Sequence, residues 1–343
     1  MSTSKLTWLL SVLIFLIACK KDPIDSANDN TVTTFAGSVD GFADGNGTAA
    51  KFSGLNGIAI DASGNIYVAD TYNYRIRKIT AAGLVTTLAG NGTPGSVDGD
   101  ATSARFSGPG NVAVDAQGNV YVTEFNRIRK ITPVGQVTTL TNGAAGYADG
   151  NLNTALFNDL KAITIDVSGT IYVADWTGNY PNFAARIRKI APDGTVSTLA
   201  GSGSGGNVNG SGNIAQFSTV YGLTIDSDGN LYAADYGNFR IRKITAGGIV
   251  STVSEIGQVT NGPLDVISDG SGNIYVATSY QVYKVSTSGT SVSLVAGIKV
   301  GYADGDGKNA SFNGLEGICM DAKKNIFVSD YLNHRIRKIT MKH

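Results

Sequence analysis

The chain has 343 residues, with 27 Lys and Arg against 27 Asp and Glu, and its formal net charge is zero. This balance excludes the excess of basic residues that nucleic-acid binding requires, so no nucleic-acid partner is expected. Hydrophobic residues make up 42% of the chain and charged residues only 16%, which is typical of a folded protein with a large core. Two histidines and two cysteines are too few for most zinc sites, and they leave few candidates for a histidine general base.

The first element in chain order is an N-terminal leader. Leu6 to Ala18 are almost wholly apolar, but the run is too short to span about 30 Å of hydrocarbon, so it predicts a signal peptide over residues 1–18. It ends in Leu16-Ile17-Ala18-Cys19, which resembles the lipobox of bacterial lipoproteins and implies lipidation of Cys19. The alternative is a plain signal peptide that happens to precede a cysteine.

Residues 19–30 are polar and contain Pro23, which predicts a tether between the lipidated Cys19 and the fold. The lipoprotein resemblance implies a cell-envelope location. Lys20, directly after the cysteine, implies the outer membrane, with the periplasmic or surface side left open. Contact with the membrane is then expected through the lipid anchor only.

Residues 31–341 repeat a unit of four short apolar or alternating runs separated by glycine-rich turns, which predicts four-stranded antiparallel sheets with strands A to D. The Asp that ends strand A occurs six times, at Asp61, Asp115, Asp166, Asp226, Asp269 and Asp321. The first strand, Thr31 to Ala36, has the D pattern, and the last, Arg335 to Thr340, has the C pattern. This phase shift predicts a closed ring in which the N-terminal strand completes the last blade.

Strand B ends in Asp, and a loop and Arg-Ile-Arg-Lys-Ile follow it, at Asp70, Asp175, Asp235 and Asp330. This pattern resembles NHL-repeat β-propellers over residues 31–341, and the resemblance implies an all-β, six-bladed propeller. Glu124 in the second repeat and Thr278 in the fifth replace the Asp, which puts the Asp–Arg pairing in doubt for blade five. We expect a bidentate Arg–carboxylate pair to order the other blades, and the recurring Phe before strand A, such as Phe52, to wedge between blades.

Alternating strand directions put the A–B and C–D turns on one face of the propeller and the B–C and D–A loops on the other. The A–B and C–D turns are tight, most D–A loops are long, and the third B–C loop is extended over residues 176–185. Because long loops on a rigid scaffold are the usual seat of binding, we expect function on the face of the B–C and D–A loops.

Aromatic and amide side chains of the B–C loops form the first candidate site, because such surfaces suit glycans and peptides. The candidates are Tyr72, Asn73, Trp176, Tyr180, Tyr236, Asn238, Tyr331 and Asn333. For each of them the alternative is packing between blades.

The residues that open each strand A form the second candidate site, at the mouth of the central channel. They are Asn56, Asn111, Lys161, Tyr221, Asp265 and Glu316. Four of these carry oxygen donors for a divalent ion such as Ca²⁺, whereas Lys161 adds a positive charge. The arrangement is similar to gluconolactonase-type propellers, which implies a divalent metal at this place; an ordinary solvated channel is the alternative, and no other cofactor is expected.

The sequence thus favours a lipid-anchored extracytoplasmic binding or scaffold propeller that recognises a glycan, a peptide or an envelope protein. The alternative is a metal-dependent, lactonase-like hydrolase or lyase, for which no catalytic residue is named. A monomer is expected, and Cys319, inside a strand A, should be a buried free thiol.

Overall fold

The computed structural model describes residues 30–178, 182–255 and 262–342. These residues form six antiparallel sheets, each with four main strands. Each innermost strand contacts the innermost strands of the two neighbouring sheets, so the sheets close into a ring. The chain is therefore all-β and folds as a six-bladed propeller, as the repeats predict.

The strands follow the order A to D from the channel outwards, and blades 1 to 6 follow the chain. Strands A are Leu55–Ile60, Val112–Val114, Asp159–Ile165, Val220–Ile225, Asp265–Ser268 and Leu315–Met320. Strands B are Ile66–Asp70, Val120–Glu124, Ile171–Thr177, Leu231–Asp235, Asn273–Ala277 and Ile326–Asp330. Strands C are Arg75–Ile79, Arg127–Ile131, Ala184–Ile190, Arg240–Ile244, Val282–Ser286 and Arg335–Thr340. Strands D are Leu84–Ala89, Val137–Thr139, Thr195–Ala200, Val250–Glu255, Val292–Ala296 and, for blade 6, Thr31–Ala36.

Short elements complete the D–A and B–C loops. Two-residue strands lie at Gly45–Asn46, Gly150–Asn151, Lys299–Val300, Gly305–Asp306 and Ser311–Phe312. Single 3₁₀ turns lie at Gly47–Ala49, Thr71–Asn73, Tyr236–Asn238 and Tyr331–Asn333. None of the helices in the described ranges has the length and apolar character needed to cross a bilayer.

The two ends of the propeller meet in blade 6. The N-terminal strand pairs with the last strand in antiparallel register, with Val32 opposite Ile339 and Thr34 opposite Arg337. Val32 and Ile339 are fully buried. The predicted closure is confirmed, and it leaves no open seam between the last blade and the first.

Within the described residues, a buried arginine ties the D–A loop to strand B in five of the six blades. In blade 1, Arg77 Nη1 lies 2.7 Å from the strand-B carboxylate of Asp70, and both side chains are fully buried. Nη2 of the same guanidinium reaches Asp44 in the D–A loop. The predicted bidentate pair is therefore wrong in its geometry, because the two nitrogens bind two different carboxylates.

The same strand-B carboxylate pair recurs in four further blades, as Glu124–Arg129, Asp175–Arg188, Asp235–Arg242 and Asp330–Arg337. In blade 5, Tyr283 takes the arginine's register position opposite Val276. Thr278 Oγ1 there donates to the carbonyl of Gln281 at 3.2 Å. The described part of blade 5 thus lacks this ion pair, as the departure of Thr278 from the repeat suggested.

Aromatic side chains and strand residues fill the space between blades. The recurring phenylalanine is at most 1% exposed at Phe52, Phe106, Phe157, Phe217 and Phe312. Each ring lies about 5 Å from the buried arginine of its blade, a distance that permits a cation–π contact. These rings are wedges between blades, as predicted. Cys319 is free and buried, also as predicted.

The third B–C loop is shorter than the sequence indicates. Strand B of blade 3 continues through Trp176 and Thr177, which pair with Ala185 and Ala184 of strand C. The predicted loop over residues 176–185 is therefore wrong at both ends. Extension of the hairpin places the Trp176 ring in the sheet and removes it from the loop.

Candidate ligand-binding site

The starts of strands A and the ends of strands B lie at the same end of the propeller, because Leu55 pairs with Asp70. We call this end, with its B–C and D–A loops, the loop face. The opposite end, with the A–B and C–D turns, is the short-turn face. The two faces therefore have the arrangement that the strand order predicts.

A cavity of about 180 Å³ opens where the channel meets the loop face, and we call it the mouth cavity. Its lining includes Asn56, Asp159, Lys161, Tyr221 and Glu316. Four of these five are residues predicted at the channel mouth. The volume is well above the roughly 10–15 Å³ that a single water molecule needs, so the cavity has room for a small polar group.

Glu316 is the only carboxylate in the mouth cavity that has no hydrogen bond or ion pair within residues 30–178, 182–255 and 262–342. It is half-buried. Burial raises the pKa of Glu316 to about 7, because the charged carboxylate loses hydration without gaining a partner. The side chain can therefore hold or release a proton near neutral pH.

An aromatic cluster borders the mouth cavity. Tyr221 packs edge-on against Trp176, with ring centroids 4.7 Å apart, and against Tyr236 at 5.1 Å. Burial raises the pKa of Tyr221, and the negative charge of Glu316 adds to the effect. The Tyr221 hydroxyl has no hydrogen-bond partner among the described residues.

Trp176 packs against Tyr221 in this cluster, and its own side chain has little solvent-exposed surface. It is 8% exposed, and its Nε1 donates to the carbonyl of Val220 at 2.8 Å. Lys161 Nζ lies 5.3 Å from the Trp176 ring and 2.8 Å from Asp159. The expected exposure of Trp176 is therefore wrong, whereas Tyr221 lines the cavity directly.

Asp265 and Asn111 lie elsewhere, in a cavity of about 150 Å³ inside the channel. Asp265 Oδ1 accepts the backbone N–H of Val266 at 2.9 Å, and Oδ2 accepts that of Ile318 at 3.0 Å. Burial raises the pKa of Asp265 to about 7 although these two bonds oppose the shift. The carboxylate joins strand A of blade 5 to strand A of blade 6.

The four predicted oxygen donors at the channel mouth do not form a site that fits Ca²⁺, which takes about six to eight oxygen ligands. Asn56 and Glu316 line the mouth cavity, Asn111 and Asp265 line the channel cavity, and both Asp265 oxygens already accept amides. The described residues contain no group of three His, Cys, Asp or Glu able to hold a metal ion.

The predicted amide candidates are engaged within the B–C turns. Nδ2 of Asn73 donates to both Asp70 oxygens at 2.9 Å and to the Gly41 carbonyl at 2.8 Å. Asn238 and Asn333 make equivalent bonds in blades 4 and 6. Each amide bridges a B–C turn to a D–A loop, so its position has a structural explanation.

The tyrosine candidates are more available. Tyr72 is 61% exposed, and its hydroxyl lies 2.7 Å from that of Tyr331 in the neighbouring blade 6. Tyr236 belongs to the aromatic cluster at the mouth cavity. Tyr180 lies outside the described residues, as does Cys19.

The sequence reasoning missed Phe125, Thr71 and Asp159, which also line the mouth cavity. Phe125 has a positive φ of 52°, which a non-glycine residue adopts mainly in tight turns. Asp159 precedes Lys161 by two residues in a strand, a spacing that puts both side chains on one face. That spacing was the available signal for their ion pair.

Comparison with known proteins agrees with the repeat pattern and the fold. The NHL repeat family matches residues 52–79, which cover the start of blade 1 through its strand C. The chain is a six-bladed β-propeller that carries an NHL repeat in its first blade. The match includes Asp70 and Arg77, whose buried ion pair is described above.

Curated relatives of this propeller include Teneurin-3 of Danio rerio, 29% identical over 289 residues, which are 74% of this chain and 10% of the relative. Teneurin-4 of Homo sapiens is 27% identical over 229 residues, which are 58% of this chain and 8% of the relative. The chain spans about a tenth of the length of the curated relatives it matches.

Solved structures with a similar fold include a gluconolactonase from Xanthomonas campestris, with a TM-score of 0.63, 14% identity, and coverage of 92% of this chain and 91% of that one. A streptogramin B lyase gives a TM-score of 0.57, 16% identity, and coverage of 91% and 98%. The calcium-binding protein regucalcin from Agrobacterium tumefaciens gives 0.59, 13%, and 89% and 96%. At these identities the likeness concerns the fold alone.

Proposed function

We propose that this NHL-repeat propeller is a binding module, and that its loop face holds a polar ligand over the mouth cavity. One observation carries the proposal. Asn56, Tyr221 and Glu316 line one cavity, and their side chains have no hydrogen-bond partner among the described residues. Polar groups left unpaired at a cavity are the groups that a ligand can satisfy.

The ligand is a glycan, a peptide or a segment of an envelope protein. Tyr221 and Tyr236 supply aromatic edges beside the mouth cavity, and aromatic side chains give contact area at low entropic cost. Glu316 and Lys161 add a proton-binding carboxylate and a cation to the same cavity. A ligand with hydroxyl or amide groups next to an apolar face fits this combination.

The proposal includes a lipid anchor at Cys19 and a place in the cell envelope, at the outer membrane. Its support is the apolar leader that ends at Ala18-Cys19 and the polar stretch that follows. Labelled palmitate supplied to a bacterial host should enter the full-length chain but not the Cys19→Ser variant. The Cys319→Ser variant is the matched control and should keep the label; label retained by Cys19→Ser contradicts the anchor.

The loop-face site is tested with a glycan and peptide array. We expect binding to fall about tenfold or more in Tyr236→Ala and in Glu316→Gln, because hot-spot aromatics and desolvated polar contacts carry most binding energy. Val167→Ala is the control, since Val167 is fully exposed on an A–B turn of the short-turn face. Binding that survives both loop-face changes would place the ligand elsewhere.

The second candidate function is a lactonase-like hydrolase or lyase at the mouth cavity. Glu316 favours it, because a carboxyl with a pKa near 7 suits general acid–base work. Solved structures of similar fold include a gluconolactonase and a streptogramin B lyase. The oxygen donors do not form a fitting site for a divalent ion. The test of this candidate therefore measures directly whether the purified protein binds one.

Elemental analysis of the purified protein, followed by lactonase assays with and without added Ca²⁺, Zn²⁺ or Mn²⁺, decides this candidate. A stoichiometric ion and an activity lost in Glu316→Gln support it. No bound ion and no activity after metal addition remove it and leave the binding module.

A further inference from the structure

A third cavity, of about 570 Å³, lies between blades 6 and 1 on the short-turn face. We call it the seam groove, because Phe35 of the closing strand forms one wall. Ile60, Met320 and Phe327 supply further apolar surface, and Lys323 and Lys338 supply two cations. The volume lies within the range of about 300–1,000 Å³ that small-molecule sites occupy.

The repeat changes at the two aromatic residues of this groove. Register places Phe327 opposite Lys338, where the other five blades have a tyrosine opposite a lysine. In blade 1 that tyrosine, Tyr67, donates its hydroxyl to Asp61 at 3.0 Å. Phe327 has no hydroxyl, so blade 6 lacks this polar link between strand B and its A–B turn.

Phe35 is the second departure. It sits at the irregular position of its D strand, between Thr34 and Ala36. The other blades have Leu or Val there, at Leu88, Leu140, Leu199, Val253 and Val295. The Phe35 ring packs edge-on against Phe327 with centroids 5.1 Å apart, and together they give the groove an aromatic wall.

The junction between blades 4 and 5 has the usual tyrosine and lysine of the repeat at the equivalent position. The equivalent cavity is about 130 Å³ and is lined by Tyr232 and Lys243. Tyr232 donates to Asp226 at 3.1 Å. The wider groove therefore coincides with the two departures from the repeat.

In the seam groove the carboxylates accept hydrogen bonds, whereas the lysines form no ion pair within the described residues. Asp61 and Asp321 accept the backbone and side-chain N–H groups of their own turns. Lys338 Nζ lies 5.6 Å from the Phe327 ring, and within the described residues neither Lys338 nor Lys323 forms an ion pair. An apolar wall with free ammonium groups at its edge is complementary to an apolar molecule with an anionic head.

We propose that the seam groove binds an amphipathic carboxylate with a single apolar chain, of the fatty-acid class. The chain lies along Phe35, Phe327 and Met320, and the carboxylate meets Lys338. This site is on the face opposite the mouth cavity and does not depend on the proposed loop-face function.

The test is titration of the purified propeller with dodecanoate below its micelle concentration, followed by calorimetry. We expect saturable binding of one molecule. Lys338→Met keeps the apolar stem and removes the charge, and it should weaken binding about tenfold, the effect of losing one charge-assisted hydrogen bond. Lys243→Met, at the same register position in blade 4, is the matched control and should leave binding unchanged.

Phe327→Tyr separates binding from folding. It supplies the hydroxyl that other blades use, so it should keep or raise the unfolding midpoint while weakening dodecanoate binding about tenfold. Dodecyltrimethylammonium, with the same chain and a cationic head, should bind at least tenfold more weakly than dodecanoate. Equal affinity for both heads, equal loss in Lys338→Met and Lys243→Met, or unchanged binding in Phe327→Tyr would overturn the assignment.

Discussion

Ionisation of Glu316 should destabilise the propeller, and Glu316→Gln should remove that cost. The folded-state pKa is about 7, compared with 4.5 for a free glutamate. The folded state therefore binds a proton more tightly than the unfolded chain does. The contribution of Glu316 to stability must fall as pH rises from about 4.5 to 7, because the unfolded chain releases its proton first.

The size of the effect follows from the shift. About 2.5 pKa units at about 1.36 kcal/mol each give an upper value of about 3 kcal/mol. A glutamine keeps the shape of the side chain and never ionises. We therefore expect Glu316→Gln to match the wild type near pH 4 and to be more stable by about 2–3 kcal/mol at pH 8.5.

The assay is urea unfolding at pH 4, 6, 7 and 8.5, with the midpoint and slope reported at each pH. Glu255→Gln is the matched control, since Glu255 is exposed and forms an ion pair with Arg240 at 2.7 Å. The control should change stability by less than about 1 kcal/mol at every pH. Equal stability of Glu316→Gln and wild type at pH 8.5 would refute the unpaired state of this carboxylate.

Three further predictions concern the scaffold. Arg77→Met leaves the buried Asp70 carboxylate without its cation and should lower the free energy of unfolding by about 3–5 kcal/mol, measured by urea unfolding. Val32→Asp puts a charge into the fully buried closing strand, so limited proteolysis should release the N-terminal strand, whereas Thr33→Asp, at an exposed position of the same strand, should resist. Burial raises the pKa of the Cys319 thiol, so an aromatic disulfide reagent should react with it only after unfolding, and rapid labelling of the folded protein would contradict its burial.

The architecture was predictable because each repeat carries its own turn chemistry. Asp61 illustrates this: its carboxylate accepts the N–H groups of Ser63 and Asn65 at 2.9 Å and thereby sets the A–B turn. A residue type that recurs at the same position of each repeat indicates a hydrogen bond between residues close in sequence, and such bonds can be predicted from the sequence. The ring closure was also predictable, because the first strand has the D pattern and the last strand has the C pattern. The first strand can therefore supply the D strand of the last blade.

The candidate site was less predictable because its members come from different blades. Glu316 opens strand A of blade 6, whereas Tyr221 opens that of blade 4, and the repeat places both at the channel mouth. No periodicity shows whether a mouth residue has a partner. Trp176 was expected on the loop because strand B was expected to end at Asp175, and two further ladder pairs, with Ala185 and Ala184, reverse that expectation.

Residues that depart from the repeat indicate function better than the residues that recur from blade to blade. The repeated Asp, Arg and Phe are buried and contact one another, so their recurrence is explained by the packing of each blade. The chain has three glutamates; Glu124 pairs with Arg129 and Glu255 with Arg240. Glu316 alone among them pairs with nothing in the described residues, and a half-buried charge without a partner is costly to keep. A residue that lowers stability and serves no repeated contact is best explained by what binds there, which is why the pH series on Glu316→Gln and the ligand array should be run on the same variant.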